Sequence, residues 1–396
     1  MTGPLVGLRV LDLTQYIAGP YCSMLLGDLG ADVIKVEMPV KGDAYRSQGP
    51  HFIRGESTSF LSFNRNKQSL TLNLKDPRAT RIAHQLVKEA DVFLENSKPG
   101  TMDRLGLGYE ALRTVNPALI YASISAYGQT GPYREKGGYD LMIQGLSGVM
   151  SMTGERSGPP AKVPVAAFDF GAALLTAVAI LASYIVLQRT GEGQHVDVSL
   201  LDCSLSWLTL FAMEYFATGE VPGRIGSASH NFAPYQGFRT QDGYMTIVGT
   251  GGKDSWGGLC RVLGLEHLCH DPRFDTNGKR LGNLHDLSQL IEQVLVTRPT
   301  EYWVQRLEEA GLPCSPINTL DQVLNDRHVH ERSMIVEIDH PRAGRVKTTG
   351  IPIRFSKTPG QLKTPPPLLG QHTDEILSSL GYGKREIDVF RKEGVI

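Results

Sequence analysis

From Phe170 to Gln188 the chain runs for nineteen residues without a charge, and the run begins directly after Asp169. A helix of that length spans a bilayer, so the stretch either crosses a membrane or is wrapped by protein. It is alanine-rich, carries Thr176 and Ser183, stands alone, and lies between ordinary α/β segments. Those features predict a central helix buried on every side and no membrane span. A carboxylate at its head meets a helix N-terminus and an apolar wall instead of bulk water. Two compatible roles are open to Asp169. Asp is a preferred N-cap, and a carboxylate stripped of water is a nucleophile. The helix end favours its negative charge by about 0.3–1 kcal/mol, while desolvation raises its pKa.

Around this helix, strand-like and helix-like segments alternate, the pattern of a parallel sheet wrapped by helices. Residues 8–13, 31–37, 69–74, 91–95, 118–125 and 195–200 read as strands, and 21–30 and 139–150 as helices. Asp76-Pro77 marks a further helix start, with an N-cap followed by proline at the first helical position and an apolar stripe through Ile82, Leu86 and Val87. The fold class is therefore α/β, with a Rossmann-like parallel sheet over residues 1–203. A linker follows at 204–233. A smaller α+β domain at 234–316 opens with a strand at 244–248 and continues in helices at 287–296 and 301–310. Residues 317–396 return to the large domain through extended pieces at 334–337 and 346–355 and a short helix at 373–380.

Composition narrows the ligand classes. The formal net charge of −1 supplies no general attraction for nucleic acid or an acidic membrane, so an anionic ligand must be held by local groups. The five cysteines (Cys22, Cys203, Cys260, Cys269, Cys314) contain no Cys-x-x-Cys pair, and no His cluster stands at zinc-ligand spacing. Reduced thiols, no structural metal and a cytoplasmic location are expected. The N-terminal residues show no signal or transit pattern.

Phosphate-binding motifs fail in turn. In Gly249-Thr-Gly-Gly-Lys253-Asp254, Asp254 stands where a P-loop needs Ser or Thr, and Ile247 stands at the leading glycine. The first strand leads into Thr14-Gln15-Tyr16-Ile17-Ala18-Gly19-Pro20, which lacks Gly-x-Gly-x-x-Gly. The histidines His51, His84, His230 and His372 read as solvated or capping groups. A Rossmann-like sheet without its fingerprint requires another ligand.

Several segments carry a resemblance when taken in order. They are Leu11-Asp-Leu-Thr-Gln15-Tyr-Ile-Ala18-Gly-Pro20, Gly27-Asp-Leu-Gly-Ala-Asp-Val-Ile-Lys35-Val-Glu37, Asn64-Arg-Asn66-Lys67, Glu95-Asn96 with Pro99-Gly100, Gly138-Tyr139-Asp140, Asp169, Thr190-Gly-Glu-Gly193-Gln and Leu369-Gly370-Gln371-His372-Thr373. Together they resemble the class III CoA-transferases, the formyl-CoA and carnitine CoA-transferase family, over nearly the whole chain. The resemblance implies that Asp169 attacks the thioester carbonyl of a donor acyl-CoA to give a mixed anhydride and CoA thiolate. Gln15, Tyr16, Ile17 and Ala18 would line the thioester end. Leu72, Asn96, Ser97 and Arg104 would follow the pantetheine and phosphates, with Lys98 and Arg104 as charge-assisted partners. Tyr139 would lie near the reactive carbonyl, and Gly249, Gly251 and Gly252 would match a glycine-rich loop over the site. Coenzyme A enters as substrate, with no tightly bound cofactor.

Departures from the family pattern narrow the branch. Racemase members place a His where this chain has Tyr139, which removes one α-proton catalyst. The formyl branch has a Lys where this chain has Gly137, and Lys136 stands beside it. The segment from Ser229 to Gly243 instead resembles branches using succinyl-type dicarboxylic acids, so a C4–C6 dicarboxylate is expected, with Arg46 as partner for its distal carboxylate. The resemblance also implies an interlocked, ring-like homodimer. An acyl-CoA racemase or a non-catalytic CoA-ester binding protein of the same fold are the alternatives.

Overall fold

The computed structural model describes residues 3–249 and 254–396, and the chain divides into two units. The first comprises Met1–Ser147, Val163–Thr209 and Arg327–Ile396; the second comprises Gly148–Lys162 and Leu210–Asp326. Residues 148–162 thus belong to the second unit and not to the large domain, and the second unit runs past residue 316 to Asp326.

Six strands form the sheet of the first unit: β1 (Arg9–Asp12), β2 (Asp32–Glu37), β3 (Lys67–Thr71), β4 (Val92–Glu95), β5 (Ile120–Ser125) and β6 (His195–Ser199). Every pairing is parallel, in the order β3-β2-β1-β4-β5-β6. Leu11 pairs with Ile34 on one side and Phe93 on the other. Strands this apolar suit a sheet covered on both faces, and β4 and β5 are buried throughout. The strand order reverses at β1. The connections leaving β1 and β4 therefore part in opposite directions and open a crevice at the carboxyl ends of the strands.

Helices α1 and α2 lie close to the segments expected from sequence. The first, α1 (Ala18–Asp28), follows β1, and α2 (Pro77–Glu89) begins after Asp76, whose carboxylate accepts the Arg78 N–H at 2.8 Å. The buried stripe of α2, including Ile82, Leu86 and Val87, shares a core cluster with Phe93 and with Leu377 and Ile387 of the tail. Next come α3 (Asp140–Leu146), α4 (Ala167–Thr190) and α5 (Leu200–Trp207). The uncharged run is thus helical, and α4 packs against α1, α5, β5 and β6. It is not buried on every side, however. Leu174, Leu175, Val178, Ile185 and Val186 are exposed, Val178 by 63%.

The second unit holds an antiparallel sheet of β7 (Tyr235–Arg239), β8 (Tyr244–Val248) and β9 (Cys314–Pro316), in the order β9-β8-β7. Helices α6 (Leu284–Leu295) and α7 (Thr300–Glu309) turn Leu287, Ile291, Trp303 and Leu307 into a core with Phe238 and Ile247.

The C-terminal stretch re-enters the first unit. A hairpin of β10 (Ile335–His340) and β11 (Gly344–Thr349) precedes α8 (Thr373–Ser379) and α9 (Lys384–Lys392). His372 is no solvated group: its Nδ1 accepts the Ser69 N–H at 3.0 Å, while Thr373 Oγ1 accepts the Thr71 N–H at 3.0 Å. The tail thereby satisfies the outer edge of β3.

Candidate active site

The crevice at the strand-order reversal is stitched at its base by Gln15, which follows β1, and Asn96, which follows β4. Asn96 Oδ1 accepts the Gln15 N–H at 2.9 Å, and Asn96 Nδ2 donates to the Gln15 carbonyl at 2.7 Å. One side chain thus satisfies both backbone groups of a loop residue that no strand pairs. Above this stitch lies a cavity of about 270 Å³ lined by Tyr16, Ile17, Ala18, Asn96 and Ser97, with Lys98, Tyr139 and Asp169 on its remaining walls. A second cavity of about 380 Å³ shares Ser97 with the first and is lined by Gln15, Leu72 and Arg104. The thioester-end and pantetheine-path residues singled out from sequence therefore fall along two adjoining hollows.

Asp169 occupies the first turn of α4, but it does not cap it. The N-cap position is Ala166, and the Phe168 N–H is instead taken by Oδ1 of Asp140 at 2.8 Å. Gln144 ties this arrangement together, its Nε2 donating to Asp140 Oδ2 and its Oε1 accepting the Val163 N–H at 2.8 Å. With the helix end served by Asp140, no hydrogen bond or ion pair from a described residue holds the Asp169 carboxylate. Burial, reinforced by the negative charge of Asp140, pushes its pKa up to about 7. Desolvation outweighs the favourable helix end here.

Aromatic rings wall this carboxyl. Tyr16 meets Tyr45 edge-on at 5.4 Å and Tyr139 at 5.9 Å, and Phe170 meets Tyr21 at 4.8 Å. Tyr45 itself is pushed up by burial and by the charges of Asp169 and Asp43. Gly138, beside Tyr139, leaves no room for a side chain: a Cβ there would lie 2.6 Å from Cβ of Ala126.

Arg46 is a correction. Its guanidinium grips Glu37 in a two-pronged pair, Nε to Oε2 at 2.6 Å and Nη2 to Oε1 at 2.7 Å. It also donates to the Pro367 carbonyl at 3.0 Å and lies 3.6 Å over the ring of Phe60. An arginine so engaged has no free face for a substrate carboxylate. Gly249 lies in the second unit, where its N–H donates to the Pro234 carbonyl at 2.8 Å. Gly251 and Gly252 fall outside the described residues. Sequence reasoning passed over Asp140, although it stands in the quoted Gly138-Tyr139-Asp140 segment, and it passed over Tyr45, which carried no local signal.

The crevice at the carboxyl ends of the parallel sheet thus holds a desolvated carboxyl in one of two cavities that share Ser97. Residues 5–373 match the family described as CoA-transferase family III. The chain belongs to CoA-transferase family III. It is an enzyme that transfers coenzyme A, and coenzyme A thioesters are substrates of its family. Mouse (Mus musculus) succinyl-CoA:glutarate CoA-transferase is 41% identical over 394 residues, covering 99% of this chain and 90% of that protein. The succinyl-CoA:mesaconate CoA-transferase of Haloarcula hispanica is 38% identical, covering 96% of this chain and 97% of that protein. Among solved structures, a CAIB/BAIF family protein from Brucella suis superposes with a TM-score of 0.86 at 39% identity, covering 96% of this chain and all of that one.

Proposed function

We propose that this family III CoA-transferase moves coenzyme A between an acyl-CoA donor and a C4–C6 dicarboxylic acid through covalent intermediates on Asp169. One observation carries the reading: the Asp169 carboxyl lines the crevice cavity, is relieved of capping duty by Asp140, and is desolvated until its pKa rises to about 7. Such a carboxylate is ionised in appreciable fraction at neutral pH, yet it is more basic than an ordinary aspartate. It attacks the donor thioester carbonyl; the C–S bond breaks, CoA leaves as thiolate, and a mixed anhydride forms on Asp169. The thiolate then attacks the aspartyl carbonyl, releases the donor acid and leaves an aspartyl-CoA thioester. The acceptor carboxylate reverses these two steps, takes the CoA and regenerates Asp169. The aromatic wall keeps water from the anhydride. Lys98 and Arg104 are assigned to the CoA phosphates, with Ser97 joining the two cavities along the pantetheine.

The dicarboxylate assignment is supported by the two relatives named above, which act on glutarate and mesaconate. Assembly is proposed as an interlocked homodimer. The exposed apolar face of α4, with Val178 and Ile185, is a surface that an isolated chain would not leave in water. Light scattering of the purified protein reads the dimer directly.

The test of function is mass spectrometry of CoA esters. Purified protein is mixed with succinyl-CoA and a panel containing glutarate, mesaconate, citramalate, oxalate and monocarboxylic acids, beside Asp169→Asn. New thioesters from the C4–C6 diacids with the wild type and none with the variant are expected. New thioesters with Asp169→Asn would overturn the covalent role, and a wild type that accepts only monocarboxylic acids or oxalate would overturn the substrate class.

A further inference from the structure

Beneath the 14–18 loop lies a buried ionic cluster that the reaction itself does not use. Asp12, Glu37 and Asp43 face Lys35, Arg46 and Lys67, three acids against three bases, and the residues other than Arg46 are at most 4% exposed. Arg46 keeps 9% of its side chain accessible. Lys67 Nζ lies 3.2 Å from Asp12 Oδ2, and Lys35 Nζ lies 2.9 Å from Asp43 Oδ2. Buried ion pairs of this kind are weak sources of stability, because desolvation offsets their attraction. Three of the six, Lys35, Asp12 and Asp43, are by contrast directed at one target, the loop. Lys35 Nζ donates to the Thr14 carbonyl at 2.6 Å, Asp12 Oδ1 accepts the Thr14 N–H at 2.8 Å, and Asp43 Oδ1 accepts the Tyr16 N–H at 3.3 Å.

Tyr16 needs such restraint. Its φ of 69° lies in the left-handed region, where a bulky residue is strained and persists only if its surroundings impose it. Asp43 also accepts the Tyr45 N–H at 2.9 Å as the cap of the short turn Ala44–Arg46. Capping alone would require neither Lys35 nor a contact to Tyr16. One carboxylate thus sets two tyrosines, Tyr16 and Tyr45, that line the cavity holding Asp169 and meet edge-on at 5.4 Å.

We propose that Asp43, held by Lys35, is the positioning residue of the reactive cavity: it fixes the left-handed Tyr16 backbone and the Tyr45 turn so that the loop wall presents one fixed shape to the thioester. Asp43 touches no reacting atom; it acts through the loop. The inference rests on the assignment of Asp169 as the reacting group.

The test compares two charge-neutral pairs. Asp43→Asn/Lys35→Met keeps a side-chain acceptor for the two N–H groups, and Asp43→Ala/Lys35→Met removes it. The alanine pair is expected to show a kcat about tenfold below that of the asparagine pair, with the KM for acyl-CoA within about threefold between them, since a geometric fault at the reacting end lowers kcat without weakening remote binding. Asp43→Glu serves as a second variant that keeps the charge balance but displaces the acceptor by one methylene. It is expected to fold and to lose about tenfold in kcat against wild type for the same reason, and it decides the matter should the alanine pair fail to fold. Equal kcat for the two pairs, a loss confined to KM, or a wild-type kcat in Asp43→Glu would overturn the proposal. Continued CoA exchange by Asp169→Asn would instead overturn the assignment of the reacting group, so the two failures are separable.

Discussion

Asp169→Asn should stabilise the folded chain, and the gain should grow with pH. The folded carboxyl titrates at about 7, against 3.8 for an ordinary aspartate. That difference of about 3 units, at about 1.36 kcal/mol each, is about 4 kcal/mol. Because Asp169 is only part-buried, screening by water reduces this to about 2–4 kcal/mol. The sign follows from linkage. Between pH 3.8 and 7 the unfolded chain loses this proton while the folded one retains it, so the folded state is progressively penalised as pH rises, and the penalty is complete above pH 7. Asparagine carries no such penalty. With an unfolding entropy of about 2.1 cal/mol/K per residue over 396 residues, or about 0.8 kcal/mol/K, the variant should melt about 2–5 °C above wild type at pH 8. At pH 5 the gap should be less than about half as large by the same linkage. Paired calorimetric melts across that range read it directly. A gap that does not change with pH, or a variant less stable than wild type at pH 8, would refute the desolvated-carboxyl argument.

The same titration should appear in catalysis. The kcat/KM for acyl-CoA should rise about tenfold from pH 6 to pH 8 with a midpoint near 7, since only the ionised carboxylate attacks; a flat profile would count against Asp169. Asp140→Asn keeps an acceptor for the Phe168 N–H but removes the neighbouring charge, so the midpoint of that profile should move below 7, and an upward move would contradict the attribution. Arg46→Met leaves Glu37 buried without its partner and should cost about 3–5 kcal/mol in denaturant titrations. The ratio of kcat/KM for glutarate over a monocarboxylate should not change, whereas a fall in that ratio would restore Arg46 as a substrate contact.

Much of the architecture could be read from sequence because the central strands β4 and β5 are short, largely apolar runs buried throughout, and Asp76-Pro77 announces α2 by chemistry that needs no tertiary help. Strand β7, Tyr-Gln-Gly-Phe-Arg, lacks that run and is extended because β8 pairs with it. Helix α9 is dominated by charged residues and buries only Ile387, so its stripe is too thin to see. In the site, the cavity-lining residues were legible through the family pattern. What was not legible is who faces whom. Asp169 has every local qualification for a cap, yet Asp140 provides the oxygen from a separate helix. Arg46 has the charge for a substrate, yet Glu37 lies within reach. Both outcomes depend on three-dimensional proximity that neither residue type nor spacing encodes.

The return of the C-terminal stretch to β3 carries a consequence for biosynthesis. The bonds that Ser69 and Thr71 of β3 donate go to His372 and Thr373, about 300 residues later in the chain. A ribosome adding roughly 5–20 residues per second needs tens of seconds to cross that interval. Throughout it, a strand of the nascent sheet presents unpaired backbone to solvent, the feature that recruits chaperones or invites edge-to-edge aggregation. Ribosome-bound intermediates stalled before residue 370 should therefore be the most chaperone-dependent stage in the life of this enzyme.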